Sequence, residues 1–349
     1  MNYDLTNLAV KMVMPTNELI YDDKGIPSVM VKIPKFKISD VITDGSDATH
    51  PAFIVNGVEV PVIYISKYQN RIQDGRAYSL PGEDPAASIN FDNARIACES
   101  KGPGWHLMTN AEWAVIALWC KKNGFMPYGN NSYGKDSRET VIKAIPSMPL
   151  DASNRIQRVA TGTGPIEWSH DKTLSGIWDL NGNVWEWMGG YRTVIGEIQI
   201  LANNDAADLN NPQNETSVKW RAIMPDGSLV APGTAGTLKW DYVSSRWTLA
   251  TTITSSSETS RSSTFETIAA ASGITAPEIL KALALFPADT TGYEGDLFYG
   301  NNAATECLAC RGGQWAYAAV AGVFAFNSAS ARSYVGPSIG FRSAYIPNI

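Results

Sequence analysis

The chain has 349 residues, 18% of them charged and a net charge of -6, together with 11 Trp, 14 Tyr, 10 Phe and 29 Gly. Such an aromatic content buries enough surface to offset the entropy of ordering, which excludes a disordered chain. The acidic balance and the lack of any basic run exclude nucleic-acid binding led by phosphate contacts.

No apolar run approaches the roughly 20 residues of a membrane helix. Met1 to Val10 lacks the basic start and apolar core of an export signal, so synthesis in the cytoplasm and reduced thiols are expected for Cys98, Cys120, Cys307 and Cys310. His50, His106 and His170 lie far apart, with no spacing suited to a metal site or a Ser-His-Asp triad.

In chain order, the first sixty residues read as short strands. Val29 to Ile33 alternates, Pro34 interrupts, and Phe36 to Ile42 resumes the period of two. Phe53 to Val55 and Val58 to Val60 flank Asn56-Gly57, a two-residue hairpin turn whose positions tolerate positive φ. No Trp precedes Trp105, so residues 1–60 read as a separate, small β-rich N-terminal module. Two helices are predicted next. One runs from Asp92 to Lys101 and stops at Gly102; the other starts at Thr109 or Asn110, with Thr109 and Glu112 at capping-box spacing. Trp113, Ile116, Ala117 and Cys120 fall on its core face, and Gly124 ends it.

Beyond Gly124 short apolar runs alternate with Gly, Asn and Ser turns. Residues 192–300 read as an insertion, with a solvated Ser/Thr-rich stretch from Thr251 to Thr264 and a helix over Ala276 to Phe286. The chain closes with a Gly- and aromatic-rich run from Arg311 to Tyr345.

The most distinctive string is Gly176-Ile177-Trp178-Asp179-Leu180-Asn181-Gly182-Asn183-Val184-Trp185-Glu186-Trp187. In an extended segment Trp185 and Trp187 share one face and Glu186 takes the other. Asp179, Asn181 and Asn183 offer hard oxygens at alternate positions, which would suit calcium; the alternative is that they cap turns.

This string resembles the "GNVWEW" signature of the formylglycine-generating-enzyme-like, or sulfatase-modifying-factor-like, branch of the C-type lectin fold. The resemblance continues in order through Ile63 to Tyr68, Gly104 to Trp113, Arg311-Gly312-Gly313 and Gly340-Phe341-Arg342. It implies an α+β, C-type lectin-like domain over 61–349, carrying the insertion at about 192–300. The oxidases of that branch hold copper through two cysteines between the "RGG" and "GFR" strings, where this chain has none. Cys307 and Cys310 form a CxxC just upstream, and with no second pair to complete a zinc site they read as inert thiols.

The closing segment resembles more closely the variable proteins of diversity-generating retroelements, C-type lectin-fold binders often used by phage for receptor binding. Arg311-Gly312-Gly313-Gln314-Trp315, Ala321-Gly322-Val323-Phe324, Arg332-Ser333 and Ile339 to Ala344 match the fixed frame of that variable region, here about 311–345. Its structural part comprises Trp185, Trp187, Arg311, Gly312, Gly313, Trp315, Gly340, Phe341 and Arg342. Three windows lie between the fixed strings: 316–320, 326–331 and 334–338. An AAC or AAT codon changed only at its adenines cannot encode Gln, Glu, Lys, Met or Trp, and none of these occurs in the windows.

The resemblance implies a non-catalytic protein whose variable face, built from Ala316, Tyr317, Ala319, Val320, Phe326, Ser328, Ala329, Tyr334, Val335 and Pro337, binds a protein or glycan ligand on a cell surface. Tyr317, Phe326 and Tyr334 would be its aromatic anchors. No cofactor beyond the calcium noted above is expected, and no nucleic-acid partner. Incorporation into a phage virion follows from the resemblance, which also leaves a homo-oligomer open. The alternatives are a formylglycine-generating-type oxidase or related modifying factor, and a fixed-sequence structural protein of a virion.

Overall fold

A computed structural model describes residues 4–347 and 349. Helix α1 (Leu5–Val13) is capped by the Asp4 carboxylate, which accepts from Asn7 N–H, and leads into the antiparallel strands β1 (Asn17–Tyr21) and β2 (Pro27–Pro34). The segment read as a continuing strand after Pro34 is instead the short helix α2 (Ile38–Val41). Its apolar residues Ile38, Val41 and Ile42 are spaced three and four apart, which serves a helix turn, and the Asp40 carboxylate accepts from Lys37 N–H. The hairpin β3 (Ile54–Val55) and β4 (Val58–Glu59) turns at Asn56 and Gly57, with φ of 51° and 77°. Strand β5 (Val62–Ser66), hairpin β6 (Arg71–Gln73) with β7 (Arg76–Tyr78), helix α3 (Phe91–Glu99), strand β8 (Trp105–Leu107) and helix α4 (Asn110–Lys122) follow.

At the head of α4 the Thr109 hydroxyl accepts from Glu112 N–H and the Glu112 carboxylate accepts from Thr109 N–H, which completes the expected capping box. Trp113 and Cys120 are fully buried on this helix, as their spacing predicts.

The first sixty residues do not form a detached module. β1 is an edge strand and β2 its inner neighbour in a five-stranded sheet ordered β1, β2, β5, the chain's closing strand Ser343–Tyr345, and β8. Val31, Ile33, Phe53 and Ile63 share one core with Trp113, Ile116 and Ala344. The physical reason is hydrophobic: a few short strands bury too little surface to fold alone, and β2 finds its partner in β5. A lack of Trp before Trp105 marked a change in local composition, not a domain boundary.

The second sheet begins with β9 (Trp185–Val194) and β10 (Glu197–Ile200) and grows through β11 (Arg221–Ile223), β12 (Leu229–Val230), β13 (Lys239–Val243), β14 (Arg246–Ala250), β15 (Arg261–Thr264) and β16 (Ala269–Ala270). After helix α5 (Glu278–Ala282) come β17 (Leu297–Gly300), β18 (Cys307–Arg311), β19 (Phe326–Ser330) and β20 (Ile339–Gly340); the closing strand is β21. The path through this sheet is β15-β17-β19-β18-β9-β10-β13-β14-β16, so residues 192–300 extend it on both sides of β9 and β18. The helix expected over Ala276 to Phe286 is present in shortened form as α5. No helix of the described residues is long and apolar enough to cross a membrane.

Candidate binding face

The frame of the face is set by two buried arginines. Arg342, between β20 and β21, donates Nε to Glu186 Oε2 at 2.5 Å and Nη2 to Glu186 Oε1 at 2.6 Å. Ser66 O accepts from Nη1 at 3.0 Å, while Trp178 O, also at 3.0 Å, shares Nη2 with Glu186. The bidentate pair with Glu186 locks the junction of the two sheets. Trp185 and Trp187 point to the opposite side of β9, into a cluster with Phe91, Leu107, Ile339 and Phe341, as the alternation of the string predicts. Arg311 ends β18 without a carboxylate partner. Its guanidinium bonds Asn110 Oδ1 and the carbonyls of Leu283 and Ala284, and lies 4.2 Å from the Phe326 ring centroid.

Past Arg311 the chain turns sharply. Gly313 has φ of 85°, and a Cβ there would stand 2.5 Å from that of Ala321, so this tight return needs glycine. Trp315 is buried; its N–H donates to Asn183 O and its carbonyl accepts from Tyr133 N–H at 2.9 Å. The turn that follows leaves Ala316, Ala319 and Val320 exposed, while half-buried Tyr317 sets its ring edge-on to Trp185 at 5.6 Å. Ala318 takes a left-handed φ of 49° and donates to Asn131 O at 2.8 Å.

The last window forms the loop before β20. Tyr334 N–H donates to Ala331 O, Ser88 N–H to Gly336 O, and Trp185 N–H to Ser338 O, which leaves Tyr334, Val335 and Pro337 exposed. The first and last windows therefore both pack beside Trp185.

The middle window does not join them as expected. Phe326 is wholly buried against Tyr191 and Phe298, and Ser328 is buried with its hydroxyl 3.2 Å from that of Tyr191. Ala329 is half-exposed, and Ala331, past the end of the strand, is exposed. Phe326, Ser328 and Ala329 occupy β19, which is flanked by β17 and β18, and a strand inside a sheet turns its large apolar side chains into the core. Neither Phe326 nor Ser328 is available to a ligand.

Of the oxygens proposed for calcium, all but one carboxylate oxygen are engaged in hydrogen bonds. Asn181 Oδ1 accepts from Asn131 Nδ2, and Asn183 Oδ1 accepts from Asn130 Nδ2 and Val159 N–H. Asp179 Oδ2 accepts from Gly162 N–H, and its Oδ1 meets no donor among the described residues. Burial, against the smaller opposing effect of Gly162 and Arg342, pushes this carboxyl up to about 6. With both amide oxygens engaged elsewhere, one carboxyl is left, which falls short of the roughly six to eight oxygens a calcium ion takes. The string works as a hydrogen-bonded turn that delivers β9 to the frame. Cys307 and Cys310 are buried on β18, where desolvation pushes the first thiol up to about 11 and the second well above the usual range.

Sequence reading missed the charged pairs that bracket the last window. Arg332 bonds Glu306, itself shared with Arg192, and Asp92 at 3.0 Å. Arg158 pairs with Asp84 and donates Nη1 to Pro337 O at 3.1 Å. The partners lie tens to hundreds of residues apart, so no local spacing signals them.

Residues 9–219 match the family described as Sulfatase-modifying factor enzyme 1-like domain (FGE-sulfatase). The match begins inside the first sixty residues and ends before the closing segment. Among solved structures, the chain is similar to PvdO from Pseudomonas aeruginosa at 12% identity and a TM-score of 0.39, over 94% of this chain and 97% of that one. It is also similar to Treponema denticola variable protein 1 at 12% identity and a TM-score of 0.33, over 96% and 100% of the two chains. No curated protein sequence matches the chain.

Proposed function

Because this chain belongs to the FGE-sulfatase family, of C-type lectin-like fold, whose members include enzymes, we propose that it uses the fold for binding and not for catalysis. The observation that carries the proposal is geometric: exposed, uncharged residues from two separate windows, Ala316, Ala319 and Val320 with Tyr334, Val335 and Pro337, flank one buried tryptophan on a frame they do not help to build. A rigid frame with permissive loops tolerates sequence change at the loops at little cost to stability. The buried thiols with raised pKa favour the same reading, since a nucleophilic or metal-binding cysteine has to be a thiolate.

The face is proposed to be rewritten by a diversity-generating retroelement, on the strength of the closing frame from Arg311 to Ala344, and to bind a ligand on a bacterial surface as part of a phage particle. The test is genomic. A near-copy of the codons for 311–344, differing at adenines and lying beside a reverse-transcriptase gene, is expected in the source genome. A complete genome without one overturns the diversification.

A further inference from the structure

An apolar lobe outside all three windows bears on what the face binds. The loop over residues 139–150 exposes Val141 by 57%, Ile142 by 61%, Ile145 by 62% and Leu150 by 44%. Fully burying each such side chain is worth about 1.5–3 kcal/mol, so folding by itself favours turning them inward. They stay outside because the backbone is held. Lys143 N–H donates to Gly134 O at 2.9 Å, Ile145 N–H to Thr163 Oγ1 at 3.1 Å, Ala160 N–H to Ile145 O at 2.8 Å and Ser147 N–H to Arg158 O at 3.1 Å. An ordered loop that presents four aliphatic side chains, with Lys143 the one exposed charge among them, marks an interaction surface.

This lobe is joined to both exposed windows. Ser147 Oγ donates to Asp84, Asp84 pairs with Arg158, and Arg158 bonds the carbonyl of Pro337 in the last window. On the other side, Tyr133 bonds Trp315 at the head of the first window, and the next residue, Gly134, lies against Ile142.

We infer that the loop 139–150 is a constant part of the binding face and that its occupant is a protein presenting an uncharged, apolar surface. The inference rests on the reading of the windows as a binding face. The side chains that would meet the occupant are Val141, Ile142, Ile145, Val320, Tyr334 and Val335. No charged residue occurs from Gly312 to Ala331 or from Ser333 to Phe341. A glycan pressed on aliphatic carbon loses its hydrogen bonds to water without replacement, at about 1–3 kcal/mol for each group left unsatisfied. An apolar protein surface gains about 25 cal/mol for each Å² removed from water, and protein interface cores are depleted of charge in the same way. The constant loop supplies affinity and the windows supply selectivity.

The test is selection of random peptides, displayed on phage, against the immobilised full chain. Expected are uncharged, apolar peptides whose binding weakens at least about tenfold on both an Ile142→Asp/Ile145→Asp chain and a Val335→Asp chain, a loss that corresponds to about 1.4 kcal/mol. These positions are exposed, so both chains are expected to keep the parental melting temperature, measured in parallel. Peptides that lose binding only on Val335→Asp overturn the role of the loop and leave the face standing. Peptides indifferent to both chains overturn the face as well. Charged peptides, a selection that yields no binder, or glycan-array binding abolished by Val335→Asp overturn the protein occupant. Self-association abolished by Ile142→Asp/Ile145→Asp does so too, by making the occupant a second copy of the chain.

Discussion

Backbone strain and close contact act in opposite directions at two residues of the same turn. Ala318 holds a left-handed φ of 49°, a conformation that costs an L-residue with a Cβ roughly 1–2 kcal/mol and that Asn tolerates well. Ala318→Asn is therefore expected to stabilise the fold by about 1 kcal/mol, read as a higher urea midpoint at unchanged slope. Gly313→Ala places a methyl group 2.5 Å from Ala321 at φ of 85°, and is expected to cost about 2–3 kcal/mol. If the two substitutions shift stability in the same direction, the described turn is wrong. The glycine was legible in the "RGG" string. Nothing in the run Ala316 to Val320 signals that Ala318 carries the strain, because the torsion is imposed by its bond to Asn131, nearly two hundred residues earlier.

At the scale of elements, the loops that carry the face are separable from the strands that hold it. Exchanging Ala316, Val320, Val335 and Pro337 together for Ser is expected to shift stability by no more than about 2 kcal/mol in total, since exposed substitutions fall mostly within about 0.5 kcal/mol each. Arg342→Met is expected to cost about 3–5 kcal/mol, because it leaves the Glu186 carboxylate buried without its partner. Thermal unfolding of the two chains side by side separates the frame from the face; equal losses would show that the windows also build the fold. The alternation that sends Trp185 and Trp187 one way and Glu186 the other was readable along the string. The burial of Phe326 was not, since the residue lies on a short apolar run that fits an exposed loop or an internal strand equally well, and its partners β17 and β18 decide between them.

For the whole molecule, buried histidines and buried carboxyls make opposite contributions to the response to pH. His50 and His170 sit in the core, and desolvation lowers both to about 4 from the ordinary 6.5. The neutral ring of His50 donates Nε2–H to Ala282 O, and His170 Nδ1 accepts from Ile177 N–H. In the unfolded chain they take up protons below about pH 6.5, so the stability they contribute is complete above that value and is lost as pH falls toward 4. The carboxyl of Asp179, raised to about 6 by burial, acts in reverse and recovers stability between pH 6 and 4; His106, which Glu112 holds above its ordinary value against its burial, contributes stability that is complete below about pH 6.5 and is lost at higher pH. Asp296, Glu99 and Asp205, also raised chiefly by burial, act in the same direction as Asp179, so the histidine contribution is isolated by substitution. At about 1.4 kcal/mol for each unit, His50→Gln is expected to lose about 1–2 kcal/mol less than the parent on going from pH 7 to pH 5, measured by urea unfolding. An equal pH dependence in the two chains would contradict the described burial of His50.

The sequence by itself determined the α+β fold class, the two helices with the capping box of the second, the Asn56-Gly57 turn and the frame residues that recur in fixed strings. These features depend on neighbours a few positions away, where period, capping chemistry and glycine torsion act directly. Only the tertiary structure decided that the first sixty residues belong to the five-stranded sheet, that Phe326 and Ser328 are core, that the side-chain oxygens of Asn181 and Asn183 serve hydrogen-bonded turns, and that the apolar loop 139–150 adjoins the windows. Each depends on partners distant in sequence: β2 against β5 and β21 beyond it, β19 between β17 and β18, Asn130 against Asn183, and Arg158 against Pro337. The low charge and abundant aromatics with which the chain begins its account are thus divided by position. The Trp residues fill the frame, and the uncharged aliphatic and Tyr side chains remain outside, because hydrogen-bonded loops hold them against the pull of the core.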